Sequence, residues 1–130
     1  MPYSVLIVDD EPMIRFGLSS CVDWPAEGFE LIGDCANGEA ALEVIERRGV
    51  DILITDIKMP KMDGLELTRR AKRLLPHVKV VLVSSFSDFE FAREAVKLGV
   101  VVDYLLKPTM EPEDLQRIVR GCKEALDADV

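Results

Sequence analysis

Five short apolar runs alternate with five stretches of helical periodicity, and that alternation leaves few folds open to this chain. The runs are Ser4–Val8, Phe29–Cys35, Ile52–Thr55 leading into Asp56, Lys79–Val83 and Val101–Leu106. The third lies in the most informative stretch, Asp51 to Gly64, reading DILITDIKMPKMDG. A near-continuous apolar run bounded by turn signals suits a strand covered on both faces. Pro12 suits the first turn of a helix whose stripe is Ile14, Leu18, Cys21 and Val22. Ala41, Leu42 and Ile45 line a second helix, ended by Gly49, and Leu65, Thr68, Lys72 and Leu75 a third, stopped by Pro76. Phe89–Leu98 reads as a fourth helix capped by Gly99. About Glu113 to Leu126 is a fifth, with Leu115, Ile118, Val119, Cys122 and Leu126 on one face. Such an order implies one parallel sheet with helices on both faces.

Composition narrows the function. The 130 residues, 48% of them hydrophobic, suit one globular domain. A net charge of -8 argues against nucleic-acid binding by this segment itself, because phosphate backbones demand a basic face. There is no apolar run near the ~20 residues of a membrane span and no secretory signal pattern, so a cytoplasmic location without membrane attachment is expected. Cys21, Cys35 and Cys122 form no C-x-x-C pair and read as buried, reduced side chains. His77 has no second His or paired Cys to make it a ligand.

The chemistry gathers at strand ends. In a parallel sheet the C-terminal edges lie side by side, and open α/β sheets bind ligands there. Asp9-Asp10, Asp56, Ser84 and Lys107 all follow apolar runs. Singly, each has an ordinary reading as a helix start or turn. Jointly they put three carboxylates, a hydroxyl and an ammonium on one edge. Clustered carboxylates cannot all ionise cheaply without a cation. An oxygen-only donor set favours Mg²⁺, to which Lys58 can add its backbone carbonyl. With Mg²⁺ and Lys107 the charge sums to about zero, and to about -1 once Asp56 carries a phosphate dianion. These are the parts of a phosphoryl-transfer site whose nucleophile is a carboxylate, Asp56. Neither G-x-x-x-x-G-K-[ST] nor G-x-G-x-x-G is present. A Mg²⁺-dependent aspartyl-phosphate phosphatase or phosphotransferase is the alternative, but its D-x-D pattern is replaced here by VDDEP.

LIVDDE at the first strand, DILITDIKMPKMDG around Asp56, Ser84 after the fourth strand and YLLKP at the fifth resemble the receiver domain of a two-component response regulator across essentially all of residues 1–130. That resemblance implies a flavodoxin-like (βα)5 three-layer sandwich, its parallel sheet ordered 2-1-3-4-5. It implies that Asp56 accepts a phosphoryl group from a phosphohistidine on a sensor histidine kinase, with no chemistry beyond self-directed transfer and autodephosphorylation. Asp10, Asp56, the Lys58 carbonyl and, through water, Asp9 would hold Mg²⁺. Ser84 takes the place of the switch hydroxyl, Lys107 of the phosphate-binding lysine and Tyr104 of the switch aromatic, with a cis Lys107-Pro108 peptide.

WPAEGFELIGDCANGEAALE, SDFEFAREAVKLG and DYLLKP further resemble receivers joined to AraC-type DNA-binding domains, which implies transcriptional output through a domain outside this chain. One stretch departs from the pattern and two positions vary within it. GVVVDY is one residue longer than the usual glycine-to-aromatic spacing, and Lys58 and Phe86 stand where the family tunes dephosphorylation, so that Phe86 could shield the acyl phosphate. Phe89, Phe91, Ala92, Ala95, Val96 and Leu98 exceed one apolar face. They suggest a homodimer through the fourth helix, fifth strand and fifth helix. The first turn of the first helix (Glu11, Pro12, Met13, Ile14) and Pro108-Thr109 are the expected kinase-docking surface.

Overall fold

A computed structural model describes residues 2–129. The elements run β1 (Tyr3–Val8), α1 (Pro12–Ser20), β2 (Phe29–Cys35), α2 (Gly38–Arg48), β3 (Ile52–Asp56), α3 (Gly64–Leu74), β4 (Lys79–Ser84), α4 (Phe89–Lys97), β5 (Asp103–Leu106) and α5 (Pro112–Ala128). All strand pairs are parallel, in the order β2-β1-β3-β4-β5. This is the expected flavodoxin-like receiver fold.

The strands read as apolar runs because both faces are covered. Side chains alternate across a strand. Accordingly Val5, Ile7, Ile52, Ile54, Val81, Val83 and Leu105 pack with Leu18 of α1 and Leu115, Ile118, Val119, Cys122 and Leu126 of α5. Leu6, Val8, Leu53, Val80 and Leu82 pack on the other face with Ala41 and Ile45 of α2, Leu67 and Ala71 of α3, and Ala92 and Ala95 of α4. Of the three cysteines only Cys122 is buried. Cys21 and Cys35 are only partly buried, short of the full burial expected, and pack against the two cores from their edges.

Two boundaries shift in ways that bear on function. β4 extends to Ser84, which pairs with Leu106. β5 begins at Asp103 rather than Val101. The residue that lengthens GVVVDY is absorbed before the strand: Gly99 turns the chain at φ 75°, and the Val100 N–H returns to Ala95 O at 2.9 Å. The Val102 N–H already reaches Val80 O at 2.8 Å, while its side chain is exposed. Tyr104 lies in the sheet opposite Leu82 and packs against the core beneath α2, α3 and α4.

Candidate functional site

Strand alternation sorts the C-terminal edge. Asp9, Asp56 and Lys107 continue the parity of Ile7, Ile54 and Leu105, so all three belong to the α1/α5 side. Ser84 and Tyr104 continue the parity of Leu82 and belong to the α4 side.

Asp56 ends β3 and is only 4% exposed. Its backbone is clamped from behind by Gly64, whose N–H donates to Ile57 O at 2.7 Å. A Cβ on Gly64 would fall 2.0 Å from Asp56 O, so only glycine fits. The loop between them turns through Lys61, at φ 70°, and Asp63 closes it by accepting from the Glu66 N–H at 2.8 Å as the cap of α3. Thus the D-G pair that read as a turn also fixes the carboxylate.

The β1 end is held as firmly. The Asp9 N–H donates to Cys35 O at 3.0 Å, and Arg15 Nη1 donates to Asp9 O at 2.7 Å while its Nε reaches Asp34 at 2.9 Å. Asp9 Oδ1 accepts from the Glu11 N–H at 2.9 Å. Asp9 Oδ2 is buried without a hydrogen bond, although Lys107 Nζ stands 3.4 Å away at ion-pair distance. Lys107 Nζ also donates to Asp56 Oδ2 and to Glu11 Oε1, each at 3.1 Å, and its N–H is anchored on Ser84 O at 2.8 Å.

The charges are frustrated. Burial first, and the charge of Asp9 second, push the Asp56 carboxyl up to about 6, against the opposing pull of Lys107. Burial likewise raises Asp9, with the Glu11 N–H and Lys107 drawing it back. For Lys107, burial works against the charge, but hydrogen bonds to Glu11 and Asp56 and the charges of Asp56 and Asp9 outweigh it and hold the ammonium above the usual lysine range.

This donor set fits a hard divalent cation. One oxygen each from Asp9, Asp10, Glu11 and Asp56 can be drawn from atoms lying within 4.8 Å of one another. The orphaned Asp9 Oδ2 is a buried anionic atom in need of a partner, and oxygen-only ligands suit Mg²⁺. Among the described residues no protein group donates to the Lys58 carbonyl, which leaves it available as a ligand.

The edge thus brings Asp9, Asp10, Asp56 and Lys107 together as expected. Ser84 lies on the same edge, but its buried hydroxyl donates to Ser85 O at 2.8 Å instead of joining the carboxylates. The exposed Lys58 side chain points to Asp88, 3.7 Å away, and Phe86 is exposed. The expected cis Lys107-Pro108 peptide is corrected: no cis bond occurs among the described residues. Trans is favoured by about 0.5–1 kcal/mol before proline, and here the Thr109 and Met110 N–H groups complete a trans turn on Leu106 O at 3.1 and 2.9 Å. Sequence reasoning missed Glu11 as a partner of Lys107. The signal is the third acid of VDDE, which by position reads as a helix start and part of a docking surface.

Residues 5–120 match the family described as response regulator receiver domain. The transcriptional regulatory protein YesN of Bacillus subtilis is 41% identical over 124 residues, which cover 95% of this chain but 32% of that protein. A response regulatory protein of Vibrio cholerae is 40% identical over 82% of this chain and 40% of its own length, so the chain spans well under half of either relative. Among solved structures, the REC domain of AraT, a response regulator from Geobacillus stearothermophilus, superposes with a TM-score of 0.90 at 40% identity, covering 99% of this chain and 98% of that one. A two-component transcriptional regulator AraC from Clostridium phytofermentans gives 0.86 at 31% identity, covering 95% and 94%. A buried aspartate beside an acidic cluster and a lysine, on this sheet and with these relatives, has one family to fit: the chain belongs to the response regulator receiver domains.

Proposed function

We propose that Asp56 is the phosphoacceptor of this chain, taking a phosphoryl group from the phosphohistidine of a sensor histidine kinase. Receiver domains of response regulators are phosphorylated by such kinases, and the observation that carries the assignment is the Asp56 carboxylate, held at the sheet edge within 3.1 Å of Lys107. In the transfer an Asp56 oxygen forms the new P–O bond as the P–N bond breaks, and the electron pair of that bond goes to the imidazole. Lys107 stays close enough to neutralise charge on the transferred group, and Ser84 offers its hydroxyl once released from Ser85 O. Asp9, Asp10, Asp56 and the Lys58 carbonyl would hold Mg²⁺, which supplies charge neutralisation for phosphoryl oxygens when bound.

The output is transcriptional in this reading, through an AraC-type domain beyond this segment. The relatives named as transcriptional regulators support it, as does the short span of their length that this chain covers. Exposed apolar surface supports dimerisation through α4, β5 and α5: α4 buries Ala92 and Ala95 but leaves Phe91 60% exposed, and Leu98, just past its end, is 70% exposed. The kinase would dock on the first turn of α1 and on Pro108-Thr109, beside Lys107. Tyr104 moves with the Ser84 hydroxyl, and Phe86 covers the acyl phosphate, so Phe86→Ala is expected to lose phosphate faster.

Incubation with acetyl phosphate and Mg²⁺, followed by intact mass, tests the central claim. One phosphoryl group is expected, absent in Asp56→Ala. Phosphorylation that survives that substitution overturns the assignment, and rapid turnover of many phosphate esters would select the phosphatase alternative.

A further inference from the structure

Asp88 leads α4 but does not do what the residues leading α2 and α3 do. Asn37 and Asp63, both with extended backbone, cap their helices by accepting from the Ala40 and Glu66 N–H groups, each at 2.8 Å. Aspartate is as suited to capping as either. Yet Asp88 has helical backbone angles, φ -109° and ψ -4°, and its side chain caps nothing. Only 4% exposed, its carboxylate accepts from Ser85 Oγ at 2.9 Å with one oxygen and lies 3.7 Å from Lys58 Nζ with the other.

Those partners sit next to the groups that matter. Lys58 follows Asp56 by two residues, and Ser85 follows Ser84. The Ser84 hydroxyl rests on Ser85 O at 2.8 Å, and the same carbonyl accepts the Asp88 N–H at 3.2 Å. Asp88 therefore ties the loop after β3 to the turn after β4, and that turn carries the carbonyl on which the Ser84 hydroxyl rests.

We propose that Asp88 is a positioning residue that competes with the phosphoryl group for the Lys58 ammonium and so holds the unphosphorylated arrangement of these two loops. This rests on the reading of Asp56 as phosphoacceptor. A phosphoryl dianion adds negative charge at the site mouth. Lys58 is an exposed point charge on a flexible stem and can follow it. Asp88 is then left with Ser85 alone, a poor state for a buried carboxylate. The Phe91 N–H, whose counterparts in α2 and α3 donate to the cap side chain, rests on Asp88 O at 3.0 Å, so the freed carboxylate can turn into a cap only by taking that N–H from its own carbonyl. Phosphorylation on β3 is coupled to α4 by exchange of one lysine, and the shift is set by the difference in its affinity for the two anions.

Titration with fluoroberyllate in the presence of Mg²⁺ tests this on the wild-type chain, Asp88→Asn, Lys58→Met and the double variant. Asparagine keeps an oxygen for Ser85 and removes the charge. Asp88→Asn is expected to bind about threefold tighter, the scale of one partly exposed ion pair, with no difference between Lys58→Met and the double variant. A purely structural role would move the melting temperature alike in both backgrounds without this dependence on Lys58. Unchanged or weaker binding by Asp88→Asn, or an equal gain with Lys58 absent, overturns the proposal. If the wild-type chain fails to bind fluoroberyllate, the phosphoacceptor reading itself falls, and this inference with it.

Discussion

The two ends of β3 each present an aspartate, and they solve opposite problems. Just before the N-terminal end Asp51 is tied to β1 through Ser4. Its Oδ2 accepts from the Ser4 N–H at 2.8 Å and from Ser4 Oγ at 3.2 Å, and its own N–H donates to Ser4 O and Ser4 Oγ, both at 3.1 Å. Its carbonyl accepts from the Lys79 N–H at 2.9 Å. At the C-terminal end Asp56 is more deeply buried, beside a second buried carboxylate that has an orphaned oxygen, and three acids share one lysine. One end ties strands together. The other holds charge that the fold alone does not neutralise, and that unpaired charge is what makes a ligand site.

The comparison breaks most violently at Gly64. A Cβ there meets Asp56 O at 2.0 Å, a contact that backbone must move to relieve. Gly64→Val is expected to cost about 3 kcal/mol or more, as severe overpacking does, measured by urea unfolding. It should also abolish phosphorylation of whatever fraction folds. A stable, phosphorylatable Gly64→Val chain would mean that this clamp does not position Asp56.

Next in size is a pair of opposite signs. Removing Asp51 leaves Ser4 without its acceptor, so Asp51→Ala should cost about 2 kcal/mol. Asp56→Asn should stabilise the metal-free protein. The Asp56 carboxyl is raised to about 6 when folded, against an ordinary value of 3.8. The folded state therefore holds its proton longer than the unfolded state does. The stability this contributes is present below pH ~4 and is lost as pH rises through ~6. Wild type and Asp56→Asn should then be alike near pH 4 and diverge above pH 6, with the variant ahead by about 1–3 kcal/mol. Denaturant melts across pH in EDTA read this directly. Adding Mg²⁺ should raise wild type more than the variant, because a ligand that binds only the folded state stabilises it. A variant less stable than wild type at neutral pH would show that Lys107 already balances the cluster.

Much of this contrast was legible in the residues. Parallel strands converge at their ends, so Asp9, Asp10, Asp56 and Lys107 could be assembled without coordinates, and Phe29–Cys35 was bounded correctly by its flanking turn residues. What escaped was set by competition in space. Glu11 reaches Lys107 because the first turn of α1 passes over the edge, which the VDDE spacing does not encode. Ser84 points at Ser85 O because a hydroxyl readily takes a backbone acceptor in the turn that follows it. β5 starts at Asp103, two residues later than the apolar run suggests, with Tyr104 paired to Leu82, because the residues after Gly99 bond back to α4 and β4 before the strand begins. Asp88 drew no reading from the sequence, because its burial beside Lys58 depends on how the loops after β3 and β4 meet.

The smallest prediction asks whether the contrast belongs to the edge or to the surroundings of each acid. Asp63 lies in the same C-terminal loop as the site, yet it is exposed and its Oδ1 caps α3 through the Glu66 N–H at 2.8 Å. If position on the edge made carboxylates costly, removing this one would help. Because it is solvated and bonded, Asp63→Ala should instead cost about 1 kcal/mol, as lost caps do, with no dependence on Mg²⁺. Thermal melts with and without the metal decide between the two. A stabilised Asp63→Ala chain would mean that the whole edge is electrostatically strained. A destabilised one confines the strain to Asp9 and Asp56, where burial and mutual repulsion act together.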